Sequence, residues 1–290
     1  MEIKFKGCYI YTKLTKNLRQ KMKRLFAFLF VGVSLISCDS NDEPDNTEEI
    51  LLKKINVDVT NQNSIVLNSS EINFGIEYDN QKRVVKKTGG YYDISISTSF
   101  SKVFTNEIYT SLIYVNNKVT VENFTTAKDF TVPKSTIYYT LNASNQIEQK
   151  EVPNDLNSVH SKKLLYKYTG GKLTEIITSF PNMPYDPNDS DDYIITYSEK
   201  FYYDANDNLV KTEYFEQHNG KNEGQKIVRT FEDYDNSPNP FKRMQLLEDY
   251  FYRSLSKNNF RKYTETAPDH VILKLSWVFN YDSNGNISFN

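Results

Sequence analysis

The sequence predicts an all-β protein: an antiparallel meander of repeated hairpins, strongly curved or partly closed, with one short helix near residues 241–256. Composition is the first of three observations behind this prediction. Of 290 residues only 38% are hydrophobic, yet 22 are Tyr and 18 are Phe. Aromatic and β-branched residues suit a pleated, half-buried surface, and a sheet with one wet face needs fewer apolar residues than a core buried on both sides.

The second observation is a turn motif that recurs along the chain. An aromatic or apolar residue precedes a stretch rich in Asn, Asp or Gly, and an aliphatic residue follows it. These turn residues tolerate positive φ, and Asn and Asp side chains bond their own backbone, so the chain reverses there at low cost. Such copies predict the successive hairpins of a meander. The copies are Tyr78–Val84, Tyr114–Val119, Leu141–Ile147, Tyr168–Leu173, Tyr203–Leu209 and Tyr281–Ile287.

The third observation is a stretch of helical spacing after Pro240. Apolar residues recur there at intervals of three and four, which predicts a helix over Phe241–Ser256 that packs on the sheet. We expect Asn258 and Asn259 to close the helix, since Asn is tolerated in the left-handed cap position. The spaced residues are Leu247, Tyr250, Phe251 and Leu255.

Residues 1–37 carry the marks of a secretory signal peptide. The basic stretch Lys21–Arg24 precedes the apolar run Leu25–Ile36. That run is shorter than the roughly 20 apolar residues a membrane-spanning helix needs. Met22 is a candidate for the true start of the chain, and a long basic leader is the alternative.

The signal peptide ends in Leu35-Ile36-Ser37-Cys38, which resembles the bacterial lipobox. The resemblance implies cleavage before Cys38 and a covalent lipid on its thiol; no other cofactor is expected. An ordinary secreted protein with an incidental cysteine is the alternative. Two or more lipid chains would anchor the protein firmly, whereas one anchors it only marginally.

The remaining chain divides into a tether and one domain. Residues 38–52 comprise the lipidated cysteine and an acidic tether that has the composition of a disordered segment. Residues 53–290 are expected to form a single β-rich domain. Asp42-Glu43 resembles the export signal of surface lipoproteins in Bacteroidota-type cells. We therefore expect the outer membrane, facing the cell surface, with the periplasmic face as the alternative.

Processing before Cys38 would leave a strongly acidic chain. Residues 1–37 hold eight Lys or Arg and one Glu, so the other 253 residues carry 27 basic and 36 acidic side chains, a net charge of −9. Nucleic acid is therefore not an expected partner, because phosphate recognition needs a concentrated basic surface. The expected partners are the membrane, through the lipid, and a glycan or an envelope protein. Cys8 leaves with the signal peptide, so no internal disulfide is expected.

The Tyr-rich turns also carry a family resemblance. The stretches YYDANDN and YDSNGN are similar to the YD repeats of RHS-like proteins. Together with the lipobox, the acidic tether and the block YDNSPNPF followed by LSKNN, they resemble Bacteroidota-type lipoproteins of unknown function with YD-like repeats. The resemblance implies an antiparallel β fold described as porin-like, and it carries over no catalytic residues. Only nine residues follow Tyr281, which argues against a fully closed barrel.

No catalytic residues are predicted. His160, His218 and His270 lie in separate polar stretches without zinc-ligand spacing and are expected to be surface loop residues. The sequence has neither a Gly-x-Ser-x-Gly elbow nor a phosphate-binding glycine loop. With Cys38 lipidated, no thiol is left for catalysis.

The stretch DPNDSDD is a weak candidate for a calcium loop. Asp186, Asn188 and Asp192 alternate as the oxygen ligands of such a loop do. Asp191 stands where the loop needs glycine, and Tyr197 replaces the bidentate Glu. A solvated acidic loop is therefore the preferred interpretation, and no metal is expected.

Exposed aromatic rings are candidates for stacking on sugars. The preferred alternative is that some of these rings belong to the core and the others form cross-strand pairs on the wet face. The candidate rings are Tyr91, Tyr92, Tyr138, Tyr139, Tyr202, Tyr203 and Trp277.

These observations predict a membrane-anchored surface lipoprotein that acts as a non-enzymatic β scaffold for binding or for envelope assembly. The alternative is a glycoside hydrolase or another carbohydrate-active enzyme, in which paired carboxylates act as acid and base or nucleophile. Two carboxylates about 5 to 10 Å apart in an aromatic cleft would favour the enzyme.

Overall fold

The computed structural model describes residues 2–6, 51–58, 72–96, 99–154 and 160–280. Within these ranges fifteen strands form one sheet, and each strand pairs with its neighbours in chain order. The first pair is parallel and the later pairs are antiparallel. The strands are β1 (Glu2–Lys6), β2 (Lys54–Asp58), β3 (Ile72–Tyr78), β4 (Val84–Ile96), β5 (Ser99–Val115), β6 (Lys118–Thr125), β7 (Ser135–Leu141), β8 (Ile147–Val152), β9 (Lys162–Thr169), β10 (Lys172–Ser179), β11 (Ile195–Tyr203), β12 (Leu209–His218), β13 (Lys221–Tyr234), β14 (Phe260–Thr266) and β15 (Val271–Ser276).

The sheet is curved and open, because β1 and β15 do not pair with each other among the described strands. The predicted all-β meander is therefore confirmed. The lipobox Leu35–Cys38, the tether up to residue 50 and the predicted turn Tyr281–Ile287 lie outside the described residues. In the described part of the chain, no helix has the length and apolar character needed to span a membrane.

Three hairpins close with the same side-chain frame. In the turn between β3 and β4, Asp79 Oδ1 accepts hydrogen bonds from the backbone N–H groups two and four residues later, both at 2.9 Å. Asn142 and Asp204 do the same in the turns after β7 and β11. We call these the long turns. Each contains one residue of positive φ, and these residues are Lys82, Asn145 and Asp207.

Two further predicted copies are short two-residue turns. Asn116 has a φ of 54° after β5, and Gly170 and Gly171 have φ of 57° and 77° after β9. Positive φ is what tight hairpin turns require, which explains the choice of Asn and Gly. Asn219 and Gly220 form a similar turn between β12 and β13, where the repeat did not predict one.

Tyrosine hydroxyls tie three of the hairpins to an earlier one. In each case the hydroxyl donates to the carbonyl of the first residue after a long turn. The bond satisfies polar groups that would otherwise be buried without a partner, so it fixes the stagger between neighbouring hairpins. The pairs are Tyr114 with Val84 and Tyr168 with Ile147, both at 2.9 Å, and Tyr234 with Leu209.

The connection between β13 and β14 is closed by the same set of hydrogen bonds as the long turns, but it encloses a much longer segment. Asp235 Oδ1 accepts from the backbone N–H groups of Ser237 at 3.1 Å and Asn259 at 3.0 Å. Its own N–H donates to Asn259 O at 3.1 Å, as that of Asp204 donates to Asn208 O at 2.9 Å. The closing residue is 24 positions on rather than four. We call residues 236–258 the insertion.

The insertion contains one short helix, as predicted, but the helical part is shorter than Phe241–Ser256. A 3-10 turn over Glu248–Tyr250 leads into α1 (Phe251–Ser254). Before it, three successive turns are closed by bonds between residues three apart. The buried residues there also recur every three positions, which suits such turns better than an α-helix. These residues are Phe241, Met244, Leu247 and Tyr250.

Asn258 and Asn259 do not cap the helix as predicted, since neither is among the described residues with positive φ. Asn259 instead bonds Asp235 through its side chain at 3.1 and 3.2 Å. Asn258 N–H donates to Asn208 Oδ1 at 2.8 Å. Both residues therefore belong to the frames of the turns rather than to the helix.

The insertion fills the inside of the curved sheet. Phe241 and Met244 are fully buried in a cluster with residues of β3 to β8. Phe251 also packs against a second cluster, formed on β10 to β14. The insertion begins and ends at one turn, and it supplies the core for a sheet whose other face is exposed to solvent.

Arg253 lies at the centre of this core. Its guanidinium carbon is 4.1 Å from the ring centre of Phe260 and 4.3 Å from that of Trp277. Cation–π contacts of this kind stabilise a desolvated guanidinium. Its Nη1 donates to Phe260 O at 3.0 Å, so the first residue after the Asp235 frame is again bound at its carbonyl.

Candidate binding groove at the turn end

The long turns and the insertion meet at one end of the sheet, which we call the turn end. Each long turn connects an odd-numbered strand to the next even-numbered strand, and so do the short turns after β5 and β9. Such connections in a meander lie at the same end. The insertion leaves and rejoins the sheet there, between β13 and β14.

Each long turn offers one backbone carbonyl to the insertion, and the residue that offers it is the one with positive φ. The insertion is therefore fixed at three points along the turn end. The three hydrogen bonds are Arg243 Nη1 to Lys82 O at 3.3 Å, Gln245 Nε2 to Asn145 O at 2.8 Å, and Lys257 N to Asp207 O at 3.2 Å.

Two adjoining cavities lie between the insertion and the turns, and together we call them the turn-end groove. The larger cavity, of about 520 Å³, lies beside the turns after β3, β5 and β7. The smaller, of about 370 Å³, lies beside the turns after β7, β9 and β11. Both cavities are lined by Gln146, Lys242 and Gln245.

The lining of the groove is polar and aromatic. Gln146 Nε2 donates to Gly171 O at 2.8 Å and so links two neighbouring turns. Tyr114 lines the larger cavity, and Tyr168 and Tyr203 line the smaller one. The Tyr203 hydroxyl has no hydrogen-bond partner among the described residues. Fixed amides and aromatic rings in a concave site are suited to a polar ligand.

The larger cavity is basic although the chain is acidic. Lys82, Arg83 and Arg243 line the larger cavity, and no described carboxylate does. Asp79 is nearby, but its oxygens bind turn N–H groups and Arg83, at 2.6 Å from the guanidinium. Asp204 likewise binds the N–H groups of its own turn, whereas Asp207 lines the smaller cavity and pairs with Lys172 of the neighbouring turn.

Lys242 stands between the two cavities. It has no hydrogen-bond or ion-pair partner in the described part of the chain. Burial lowers the pKa of Lys242; Asp207 opposes this effect and Lys257 adds to it. Lys242 therefore places a positive charge beside both cavities.

The sequence did not identify this groove, and the residues it singled out lie elsewhere. His218 bonds Glu216 at 2.7 Å and stacks on Tyr193, and His270 bonds Asp269 at 2.6 Å. His160 lies in a different loop. Among the described residues, no group of three or more His, Cys, Asp or Glu is placed to hold a metal.

The carboxylates of the weak calcium loop bind the loop itself. Asp186 Oδ1 accepts from Asn188 N at 2.9 Å. Asp192 accepts from the backbone N–H groups of Asp186 at 2.7 Å and Tyr193 at 2.8 Å. The loop is therefore organised by hydrogen bonds within its own turns.

Three of the seven candidate sugar-binding rings are packed within the protein, three are exposed and one lines the groove. Tyr92 stacks on Phe130 at 4.1 Å, Tyr139 is buried, and Trp277 lies against Arg253. Tyr91, Tyr138 and Tyr202 are exposed, and the Tyr202 hydroxyl donates to Glu213 at 2.8 Å. Tyr203 alone among the candidates lines the turn-end groove.

A second polar cluster, also missed from sequence, lies under α1. Arg229 binds Glu199 at 3.0 Å through Nη1 and Glu265 at 3.2 Å through Nε. Tyr252 and Tyr263 donate to these two carboxylates at 2.9 and 2.5 Å. The cluster thus fixes α1 to the sheet.

Comparisons with known proteins add little to this geometry. No protein-family model and no curated protein matches the sequence. Similar solved structures include a porin-like protein from Bacteroides uniformis, at TM-score 0.43 and 10% identity over 75% of this chain and 80% of that one. Another is a porin-like protein from Bacteroides vulgatus, at TM-score 0.38 and 10% identity over 76% and 86%. At these TM-scores the likeness carries no argument about function.

Proposed function

We propose that this chain is a lipid-anchored outer-membrane protein whose curved sheet is a non-enzymatic scaffold for binding, with the turn-end groove as the binding site. The groove is the observation that carries this proposal. Several turns and the insertion converge there, and they surround about 520 and 370 Å³ with amides, tyrosines and cations. The insertion is held on the turns by three hydrogen bonds, so the lining is fixed before a ligand arrives.

The anchor rests on Cys38 and the lipobox Leu35-Ile36-Ser37 before it. Cys38→Ala is expected to release the protein from the membrane fraction, because the lipid cannot attach. Cys8→Ala is the matched control: it removes the other cysteine, which would leave with the signal peptide. A Cys38→Ala protein that stays in the membrane fraction, or a Cys8→Ala protein that leaves it, contradicts the proposed anchor.

Protease treatment of intact cells tests which side of the outer membrane the domain faces. Loss of the domain while a periplasmic marker survives is expected for a surface protein. Protection until the outer membrane is breached would place the domain in the periplasm, and envelope assembly would then replace surface binding as the proposed role.

A further inference from the structure

We propose that the smaller cavity of the turn-end groove binds a neutral sugar, and that Tyr203, Lys242 and Gln245 supply the hydrogen bonds that hold it. This inference rests on the proposed function and names the class of ligand for one part of the same groove. Its supports are a tyrosine hydroxyl that the fold leaves unused, the hydrogen-bonding groups beside it and the balance of charge in the cavity.

Tyr203 differs from the other tyrosines that stand at the start of a turn at the turn end. Four of these five tyrosines in the described chain donate their hydroxyl to a backbone carbonyl, whereas the Tyr203 hydroxyl has no described partner. Burial raises the pKa of Tyr203, so this hydroxyl is also partly withdrawn from water. A desolvated hydroxyl without a partner is unfavourable, and a ligand in the cavity that Tyr203 lines would satisfy it. The four bonds are Tyr78 to Leu52, Tyr114 to Val84 and Tyr168 to Ile147, each at 2.9 Å, and Tyr234 to Leu209.

Lys242 and Gln245 place two more unused groups beside this cavity. Neither the Lys242 ammonium nor Gln245 Oε1 has a hydrogen-bond partner in the described part of the chain. The Gln245 amide is held in place, because its Nε2 donates to Asn145 O at 2.8 Å. Lys242 therefore offers donors, Gln245 Oε1 offers an acceptor, and the Tyr203 hydroxyl offers both. A sugar hydroxyl is also both donor and acceptor, so it is able to bind each of the three.

The charges that line the smaller cavity largely offset one another. Asp207 pairs with Lys172 of the neighbouring turn. Lys242 is the other cation of the lining, and Asp207 acts on it electrostatically. Because two cations and one carboxylate share one cavity, a strongly charged ligand of either sign would meet repulsion as well as attraction. A neutral ligand that hydrogen-bonds to these groups avoids the repulsion.

The rest of the lining suits the C–H face of a sugar ring. Phe251 and Leu255 of the insertion contribute apolar side chains, and Tyr203 contributes its ring. The face of an aromatic ring is electronegative and attracts C–H groups. Gly170 and Gly171 add bare backbone, with open space where a Cβ would stand. At about 370 Å³ the cavity is of the size of a small-molecule site.

The test is an array of neutral and acidic oligosaccharides, probed with the full chain purified in a polyoxyethylene alkyl ether detergent, which contains no sugar. We expect binding to neutral glycans that changes by less than about twofold when salt is raised, because the ligand carries no charge to be screened. Tyr203→Phe and Lys242→Met are each expected to weaken binding to the same glycans by about fivefold or more, because each variant removes hydrogen bonds to the ligand.

Tyr202→Phe is the matched control, because Tyr202 is the adjacent residue, lines neither cavity and donates its hydroxyl to Glu213. It is expected to bind glycans as the parent chain does. A thermal melt of Tyr203→Phe that matches the parent melt would show that lost binding is not lost folding.

Binding to neutral glycans that survives in Tyr203→Phe, or that is lost equally in Tyr202→Phe, would overturn the inference. Binding to acidic glycans alone would overturn the neutral ligand, and its loss in Lys242→Met would still support the groove as the binding site. Binding to no glycan would overturn the sugar and leave the Cys38 anchor untouched, since fractionation of cells tests the anchor separately.

Discussion

The turns at Asp204 and Asp235 differ sixfold in span but close with the same contacts. Asp204 closes on Asn208 and Asp235 closes on Asn259, each through two N–H groups on one carboxylate oxygen. In both hairpins the residue before the Asp pairs with the residue after the closing Asn. A hairpin of this sheet therefore takes up a long segment without a change in strand register.

The long turns and the insertion contribute different things to the fold. The long turns present carbonyls at fixed positions, and the insertion supplies both the donors that bind them and the fully buried Phe241 and Met244. The turns thus determine where the insertion lies, and the insertion provides the core that the sheet lacks. The groove is the gap left between them.

Replacing the insertion with a long turn should have the largest effect. In this variant Ala-Asn-Asp, as in residues 205–207, takes the place of residues 236–258. Each large buried side chain that is lost costs about 2–5 kcal/mol, and several are lost against a total stability of about 5–15 kcal/mol. We expect no cooperative thermal transition and strong binding of a hydrophobic dye. Replacing 205–207 with Ser-Asn-Gly is the control and should leave the melt almost unchanged. A cooperative melt without the insertion would show that the sheet has a sufficient core of its own.

The next largest loss of stability is expected when the Asp that closes a frame is replaced, and the loss should differ between Asp204 and Asp235. Asp235→Ala removes the acceptor of the buried Asn259 backbone N–H and the two shortest hydrogen bonds of its side-chain amide, at a cost of about 3 kcal/mol or more. Asp204→Ala frees the exposed N–H of Asn206 and the N–H of the buried Asn208 but breaks no side-chain amide bond, and it should cost about 1–2 kcal/mol. Urea unfolding of both variants measures the difference. Equal losses would mean that the frame does not hold the insertion.

The turns could be predicted from sequence because their causes are local. Asn, Asp and Gly within four or five residues decide φ and supply the side-chain acceptor, as at Asn142 and Gly171. The frame at Asp235 was missed because its closing residue lies 24 positions away. A signal was present: Tyr234-Asp235 and Asn259-Phe260 match the residues that begin and end the Asp204 turn.

The extent of the helix and the position of the groove are two further features that could not be predicted from the sequence alone. Phe241, Met244, Leu247 and Tyr250 recur every three residues, and such spacing fits one face of an α-helix as well as a series of turns. Packing inside the sheet decides between them. The groove cannot be read locally, since Arg83, Gln146 and Lys242 come from three separate segments and are brought together by the meander.

A smaller effect is expected for the tyrosine hydroxyls that link the hairpins. Tyr114→Phe and Tyr168→Phe each remove one hydrogen bond to a backbone carbonyl, which should cost about 1 kcal/mol. Tyr203→Phe is the matched control, because its hydroxyl has no described partner, and its stability should stay within about 0.5 kcal/mol of the parent. If all three variants lose the same amount, the hydroxyl bonds are not what staggers the hairpins.

The smallest effect is expected in a comparison of two long turns of equal length, one closed by a charged side chain and the other by a neutral one. Burial alone would raise the pKa of Asp79, but the backbone N–H and side chain of Arg83, together with the Gln81 N–H, hold it below the usual 3.8. A carboxyl whose pKa is lowered by folding stabilises the protein above its unfolded value, and this contribution is lost as pH falls through the folded value. The parent chain should therefore lose stability between pH 5 and pH 2.5 that Asp79→Asn does not lose.

Asn142 shows that an amide can close the same frame, so the variant should still fold. At pH 7 it should be less stable by no more than about 1 kcal/mol, because the ion pair with Arg83 lies near the surface. Thermal melts of both chains at the two pH values provide the measurement, with Asn142→Asp as the reciprocal variant that should gain the acid sensitivity. A gap between parent and variant that is the same at both pH values would mean that the charge of Asp79 does not stabilise its turn. The long turns would then close by hydrogen-bond geometry alone, which is the property that lets one of them enclose the insertion.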